Sequence, residues 1–224
     1  MVLTVLQTGD WAFVAGNWEW LALGTVVTVL LTASSLTLGL LAGFPAGAIE
    51  AYGSGRLKGA VSTAGVLFRA TPIVVLMVLF FYGLPIPRLG SLPVLDIRLS
   101  AFFAATLALG FRSAAYQSQV FRGAIGSIDD GQMEAARSVG LTRFQAIRHV
   151  ILPQAIRRSI PGFQNEFTIV LKDTSVAIAI GLAELLTRAE NLYLQPGRDT
   201  AMMEVIIAIS AIYFVLTFTT NRTL

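Results

Sequence analysis

Cysteine is absent from this chain, and charged residues are scarce. Of its 224 residues, 13% are charged and 55% are hydrophobic. A soluble domain of this size needs more charge to cover its surface, so the composition indicates a membrane protein. Without cysteine the chain can form neither a disulfide scaffold nor a thiolate metal site, and its single histidine, His149, cannot build a zinc site alone. The formal net charge of +3 is too small and too scattered to indicate binding to nucleic acid.

Five segments are predicted to cross the membrane, since a helix needs about 20 apolar residues to span the hydrocarbon core. The first segment contains no charged residue, whereas Arg69 interrupts the second and Arg112 the third. The fourth is the least apolar, because it carries Glu166, Lys172 and Asp173. The segments are 20–49, 61–84, 99–121, 160–182 and 202–219, and the whole chain, 1–224, is predicted to form one transmembrane domain.

Basic residues are unevenly distributed between the loops on the two sides of these segments. Cytoplasmic loops of membrane proteins carry an excess of Lys and Arg, which sets the orientation of the chain. We therefore predict that the N-terminus is outside and the C-terminus is in the cytoplasm. The cytoplasmic side then holds Arg56, Lys58, Arg122, Arg137, Arg143, Arg148, Arg157, Arg158 and Arg222, and the outer side holds Arg88, Arg98, Arg188 and Arg198.

Two stretches predict structural features of the membrane domain. Gly39, Gly43 and Gly47 are spaced four residues apart in the first segment, so one helical face is expected to let another helix approach closely. A functional hinge at Pro45 is the alternative. The stretch "GLPIPRLGSLPVLDIR", residues 83–98, is rich in Pro and Gly and predicts an irregular outer connection.

Residues 127–158 form a basic cytoplasmic stretch that is predicted to fold as two short helices. Ser127 is expected to cap a helix that begins at Ile128, and Gly140 is expected to end it. Thr142 and Gln145 have the spacing of a capping box at the start of the second helix. That helix is expected to place Phe144, Ile147 and Ile151 on one face and to end near Pro153. From the residues alone, such an element could lie on anionic lipid or bind another protein.

The spacing of several motifs favours a protein partner. "EAARSVG", from Glu134 to Gly140, is followed after nine residues by "VILP", and this pattern resembles the EAA loop of ABC-transporter membrane subunits. The family usually has Ile where this chain has Val150. "FRATP", "AYQSQVFRG", "GQMEAARSVG", "LPQAIR", "NEF" and "KDTS" also occur in the order and spacing of the polar amino-acid permeases, the membrane subunits of ABC importers. The resemblance covers most of the chain.

This resemblance implies an all-α membrane protein, the transmembrane domain of a type I ABC importer, with about five transmembrane helices and a cytoplasmic coupling helix within residues 127–158. The coupling helix would dock in a groove on a separate ATPase. The chain has no phosphate-loop motif of its own, so it is expected to be a transport subunit without catalytic residues, with ATP and Mg²⁺ in its partner. The residues implied for coupling are Gly131, Glu134, Ala135, Ala136, Gly140, Leu152 and Pro153.

The family also implies the remaining partners and the location. These are a dimer of ATPase subunits, a second permease subunit, identical or related, and the lipid of a prokaryotic plasma membrane. An extracytoplasmic solute-binding protein would deliver an amino acid to the outer loops, which include Asp96, Arg98 and Arg198. No cofactor or metal is expected to bind to this chain itself.

Polar residues within the membrane are costly and therefore require a reason. A polar substrate path is predicted from Arg69, Thr71, Arg112, Tyr116, Gln119, Glu166, Lys172 and Asp173. The alternative is mutual neutralisation, with Arg69 or Arg112 paired to Glu166 or Asp173 only to hold the helices together. Gln119 stands where family members commonly have Glu, and Arg112 where a small polar residue or His is usual. Both departures favour glutamate, glutamine or a neutral polar amino acid over a cationic one.

Three other functions remain as alternatives. A self-contained channel would need no ATPase, and an ABC permease for another small solute would lack the "KDTS" match. An intramembrane enzyme is disfavoured, because the chain offers one His, no Cys and no paired catalytic carboxylates beyond Glu166 and Asp173.

Overall fold

A computed structural model of the chain describes residues 8–85 and 90–223, most of them helical. Arg88, predicted to lie on the outer side, is outside the described residues. The helices are α1 (Thr8–Gly16), α2 (Trp18–Tyr52), α3 (Gly55–Ala70), α4 (Ile73–Val78), α5 (Leu99–Gly126), α6 (Asp130–Ser138), α7 (Arg143–Ala146), α8 (Leu152–Asp173), α9 (Leu185–Tyr193) and α10 (Met202–Thr223). Two π-helical turns (Leu79–Gly83 and Ile147–Ile151) and two 3₁₀ turns (Thr174–Ile180 and Asp199–Ala201) join some of them, and two short strands, β1 (Ser91–Leu92) and β2 (Ile97–Arg98), pair antiparallel.

Among the described residues, three helices are long and apolar enough to cross a membrane: α2, α5 and α10. They correspond to the first, third and fifth predicted segments, and the all-α membrane fold is confirmed. The predicted count of five is approximate. The second segment is a bent pair of helices that counts as at most one further span. The fourth segment lies mainly in α8, whose length and composition do not qualify it as a membrane-spanning helix.

The second segment was predicted as one helix, and this prediction is wrong in detail. Helix α3 ends at Ala70, and the following helical stretch, Ile73–Gly83, is turned by 106°. Pro72 lacks an amide hydrogen and disfavours the helical conformation at the residue before it. Thr71 accordingly has an extended backbone, and its hydroxyl donates to the Leu67 carbonyl oxygen at 2.8 Å. The bend is therefore encoded by the Thr-Pro pair.

Helices α2 and α5 pack closely along the predicted glycine face. A Cβ atom placed on Gly39 would lie 2.6 Å from Gln117 Nε2, one on Gly43 would lie 2.8 Å from the Ala114 carbonyl oxygen, and one on Gly47 would lie 2.7 Å from the Ser118 carbonyl oxygen. These distances leave no room for a side chain. The close approach is confirmed, and α2 continues through Pro45 as a single helix.

The outer connection is more ordered than the sequence predicts. Ser91 pairs with Arg98 and Leu92 with Ile97, so the stretch before α5 is a small hairpin. Asp96, which lies in the turn of this hairpin, has a left-handed backbone with φ of 48°. Aspartate tolerates this conformation better than most residues because its short side chain can hydrogen bond locally.

Candidate functional site

The first helix of the basic stretch begins later than predicted and has a different cap. Helix α6 begins at Asp130, and the Asp129 carboxylate accepts a hydrogen bond from the Gly131 amide at 2.7 Å. Ser127 is not the cap. Its hydroxyl donates to the Ala124 carbonyl oxygen at 2.8 Å, and Arg158 donates to both the carbonyl and the hydroxyl oxygen of Ser127. Ser127 therefore joins the end of α5 to α8.

The turn after α6 follows the prediction. Gly140 has φ of +90°, a left-handed conformation that a residue with a Cβ adopts only at a cost. The Gly140 amide donates to the Arg137 carbonyl oxygen, and the next amide, Leu141, donates to that of Ala136. Thr142 and Gln145 then form the predicted capping box, with both reciprocal hydrogen bonds present. We call residues 139–144 the elbow. They comprise the turn between α6 and α7 and the first two residues of α7.

The second helix does not end near Pro153, and this prediction is wrong. Helix α7 passes through the π-helical turn at Ile147–Ile151 directly into α8, and Pro153 lies in the first turn of α8. Pro153 lacks an amide hydrogen and so cannot donate to the turn before it, and that turn is π-helical rather than α-helical. The elbow is consequently continuous with a helix of 22 residues that extends to Asp173.

The residues predicted for coupling differ in exposure. Gly131, Glu134, Ala135, Gly140 and Pro153 are exposed, Leu152 is half-buried and Ala136 is buried. Two apolar side chains that the sequence analysis did not assign to coupling are the most exposed of this region: Val139 at 77% and Phe144 at 70%. They flank Gly140 at the elbow. Their signal in the sequence is an apolar residue on each side of a helix-ending glycine.

Among the polar residues of the spans, Arg112 and Asp173 form an ion pair between α5 and the end of α8. Both side chains are largely shielded, with 18% and 25% of their surface exposed. The Arg112 guanidinium carbon also lies 5.2 Å from the centre of the Tyr116 ring, a cation–π distance. The structure thus brings three of the predicted path residues together and pairs Arg112 with Asp173 rather than with Glu166.

Glu166 lies two turns before Asp173 on α8 and is 3% exposed. Its Oε1 atom has no hydrogen-bond partner among the described residues, and Ser113 of α5 hydrogen bonds to its side chain. Gln117 in turn donates to Ser113 Oγ at 2.8 Å. Ser113 and Gln117 were not predicted. Neither is charged, so only their contacts in the fold identify them.

Two other predicted path residues, Arg69 and Gln119, belong to a separate group nearer the C-terminal end of α5. Gln119 donates to the carboxylate of Glu50, and Arg122 Nε lies 3.5 Å from Glu50 Oε2. Arg69 donates to the Ala115 carbonyl oxygen at 2.7 Å and is paired with neither Glu166 nor Asp173. Glu50 was missed by the sequence analysis, although it is the first charged residue after the charge-free run of α2.

The two remaining path residues have simpler surroundings. The Thr71 hydroxyl serves the end of α3, as described above, and Lys172 is exposed. The predicted path is therefore not one continuous row. It comprises one group around Arg112 and Asp173, which we call the outer polar group after the predicted orientation, and a second group around Arg69, Gln119 and Glu50.

Comparison with known proteins shows which family has this architecture. Residues 35–222 match the family model described as "Binding-protein-dependent transport system inner membrane component". The chain is 32% identical over 214 residues to the probable amino-acid permease protein YxeN of Bacillus subtilis, covering 95% of this chain and 91% of that protein. It is 34% identical over 192 residues to the glutamine transport system permease protein GlnP of Escherichia coli, and this match covers 85% of this chain and 81% of that protein.

A solved structure agrees with the sequence relatives. The crystal structure of an amino acid ABC transporter with histidines contains a chain that is 32% identical, with a TM-score of 0.79, over 93% of this chain and 92% of that one. The chain therefore belongs to the family of inner membrane components of binding-protein-dependent transport systems.

Proposed function

We propose that this chain is the membrane-spanning permease subunit of an ATP-driven importer for polar amino acids. Family membership supports a role in transport, and the similarity to the amino-acid permease YxeN and the glutamine permease GlnP supports an amino-acid substrate. The ATP would be bound and hydrolysed with Mg²⁺ by a dimer of separate ATPase subunits in the cytoplasm. A second permease subunit would complete the path, and an extracytoplasmic solute-binding protein would deliver the substrate.

The observation that carries this proposal is the continuity between the elbow and the outer polar group. The 22 residues of α8 span about 33 Å at 1.5 Å per residue. The helix begins beside the cytoplasmic elbow and ends at Asp173, which is paired with Arg112 of α5. A displacement of the elbow by a closing ATPase dimer would therefore move Asp173 relative to Arg112.

The elbow has the features of a docking surface. Val139 and Phe144 present apolar surface to the cytoplasm, while Glu134 and Ala135 are exposed one turn earlier on α6. Burying two such side chains in a groove would stabilise the complex by about 3–6 kcal/mol before the costs of association. Ala136 and Ala146 are buried where α6 packs against α7 and the π-helical turn that follows it.

The outer polar group would bind the two charged ends of an amino acid. The Arg112 guanidinium can hold a carboxylate in a two-pronged arrangement, and Asp173 or Glu166 could receive the ammonium group. Binding would then exchange the Arg112–Asp173 pair for contacts with the substrate. Gln119 in place of the usual Glu, and Arg112 in place of a small polar residue or His, give this path less negative charge for a cationic side chain than the resemblance leads one to expect. We propose glutamine, glutamate or a neutral polar amino acid as the substrate.

The location follows from the same proposal. The chain would lie in a prokaryotic plasma membrane with its N-terminus outside and its C-terminus in the cytoplasm, as the distribution of Arg and Lys predicts. Residues 127–158 would form the cytoplasmic coupling region of a single transmembrane domain spanning the chain.

The direct test is uptake by proteoliposomes that contain this chain with its co-purified ATPase and solute-binding protein, scanned across the twenty amino acids. We expect ATP-dependent uptake of a labelled amino acid. Unlabelled glutamine or glutamate should inhibit this uptake, and unlabelled arginine should not. Uptake of arginine without competition by either would overturn the substrate assignment. Conductance across a bilayer without ATP would instead support a channel, and uptake of a solute that is not an amino acid would support a different ABC permease.

A further inference from the structure

A fully buried arginine fixes α9 to the outer hairpin. Arg188 is 0% exposed; its Nη2 donates to the Leu95 carbonyl oxygen at 2.6 Å and its Nε to that of Ala183 at 3.0 Å. Its guanidinium carbon lies 4.2 Å from the centre of the Trp20 ring. Burying a charged group is costly unless contacts compensate for it. Arg188 therefore fixes the position of the hairpin relative to α9 through its hydrogen bond to the Leu95 carbonyl oxygen.

A second arginine extends in the opposite direction, from the hairpin to the segment 174–181. Arg98, the last residue of β2, donates through Nη2 to the Gly181 carbonyl oxygen at 2.8 Å and to that of Ile180 at 3.4 Å. Gly181 has φ of +66°, and a Cβ on it would lie 2.4 Å from Arg98 Nη2. The hairpin thus contacts the segment 174–181 through Arg98, and it contacts α9 through Arg188. We call these two contacts together the outer joint.

The outer joint lies between the outside solution and the outer polar group. At the hairpin, Val94 is 84% and Leu92 is 45% exposed, so an incoming partner can reach this end. On the other side, Ile180 and Gly181 belong to the segment that directly follows Asp173, the partner of Arg112. Arg98 also immediately precedes α5, the helix that carries Arg112. A shift of the hairpin would therefore reach both members of the ion pair.

The far side of the same segment is held by polar contacts. The Glu184 carboxylate caps α9, accepting from the Thr187 amide at 2.8 Å and the Leu186 amide at 3.0 Å. The hydroxyl of Tyr213, on α10, donates to the same carboxylate at 3.2 Å. The start of α9, three residues after Gly181, is therefore anchored to α10.

We infer that Arg98 and Arg188 are positioning residues that transmit docking of a solute-binding protein at the hairpin to the Arg112–Asp173 pair. The inference rests on the proposed function and adds to it the route by which the outside partner acts on the polar group. The arginines do not touch the substrate. They hold the hairpin, the segment 174–181 and α9 as one unit, so that all three move together.

The test measures the ATPase rate of the purified importer in nanodiscs against increasing concentrations of its amino-acid-loaded solute-binding protein. The maximal rate reports transmission, and the half-saturating concentration reports docking. For Arg98→Ala we expect the stimulation of the maximal rate to fall roughly fivefold or more, with basal rate and half-saturation nearly unchanged. Arg98→Lys, which keeps one donor, should restore part of the stimulation, and Arg188→Lys should reduce it.

Arg198→Ala is the matched control. Arg198 is an exposed arginine on the outer side whose guanidinium carbon lies 4.5 Å from the centre of the Phe13 ring, outside the outer joint. Its replacement should leave the maximal stimulation unchanged. Unchanged maximal stimulation in both Arg98→Ala and Arg188→Lys would overturn the inference, as would a loss that arises only from weaker docking.

A second measurement keeps the inference separate from the proposed function. The natural chain has no cysteine, so spin labels can be placed at Val94→Cys and Ala179→Cys, both exposed positions. We expect a narrow distance distribution that broadens in Arg98→Ala and not in Arg198→Ala. Equal widths in all three would overturn the outer joint. An unaltered importer that no amino-acid-loaded binding protein stimulates would instead refute the proposed function.

Discussion

The packing of α2 against α5 gives the sharpest stability prediction, at Gly43. A Cβ added there would lie 2.8 Å from the Ala114 carbonyl oxygen, about 0.6 Å short of the 3.4 Å at which ordinary contact begins. The obstructing atom belongs to the backbone of a helix and cannot rotate away. Gly43→Ala must therefore push the two longest helices apart, and overpacking of this kind costs about 1–3 kcal/mol.

Gly123→Ala is the control for this prediction, since Gly123 lies in α5 and a Cβ there would meet nothing within 4 Å. Alanine at such an open helical position stabilises by about 0.5–1 kcal/mol. Thermal unfolding of the two variants in the same detergent should therefore move in opposite directions, with Gly43→Ala lower than the unaltered chain. A Gly43→Ala variant as stable as Gly123→Ala would refute the close packing of α2 and α5.

Three further predictions concern transport. Gly140→Glu should abolish uptake without preventing membrane insertion, because φ of +90° strains any residue with a Cβ and the charge would enter the docking surface; normal uptake would refute the coupling role. Asp173→Asn should lower uptake and destabilise the chain by about 1–3 kcal/mol, because it leaves the shielded Arg112 unpaired, and adding Arg112→Gln should recover part of the stability; a double variant less stable than the single one would contradict the pairing. Val139→Asp should reduce uptake and co-purification of the ATPase while leaving insertion intact, and unaltered co-purification would count against the elbow as the docking surface.

The features that the sequence predicted correctly are those with a local physical cause. A glycine every four residues places three hydrogens on one helical face whatever surrounds the helix, so the packing of Gly39, Gly43 and Gly47 could be foreseen. The left-handed turn at Gly140 and the Thr142–Gln145 capping box are also determined within a few residues. For the same reason, the long charge-free run of α2 was recognised as a span.

The features that were missed depend on contacts between distant residues. Ser127 and Asp129 are both good helix caps in isolation, and the choice between them reflects Arg158, which occupies the Ser127 carbonyl oxygen from 31 residues away. Pro153 looked like the end of a helix because proline often follows one, yet the helix continues past it through a π-helical turn. Glu50 was overlooked because its partners, Gln119 and Arg122, lie on another helix.

The pairing of polar residues was predicted only in outline. Sequence spacing placed Arg112 and Tyr116 on one face of α5, and Glu166 and Asp173 on one face of α8, but it could not say which acid would meet which arginine. The close packing that the glycines allow brings α5 against α2, and the end of α8 then places Asp173 beside Arg112. Arg69 instead reaches a backbone carbonyl oxygen on α5.

The central claim is that a separate ATP-hydrolysing protein moves this chain through the elbow, and cross-linking tests it most directly. Because the chain has no cysteine of its own, a photoreactive label on Val139→Cys reports only on contacts of the elbow. We expect the label, in native membranes, to link the chain to an ATP-binding protein, with a yield that changes when ATP is added. Labelling of phospholipid alone, with and without ATP, would contradict the account.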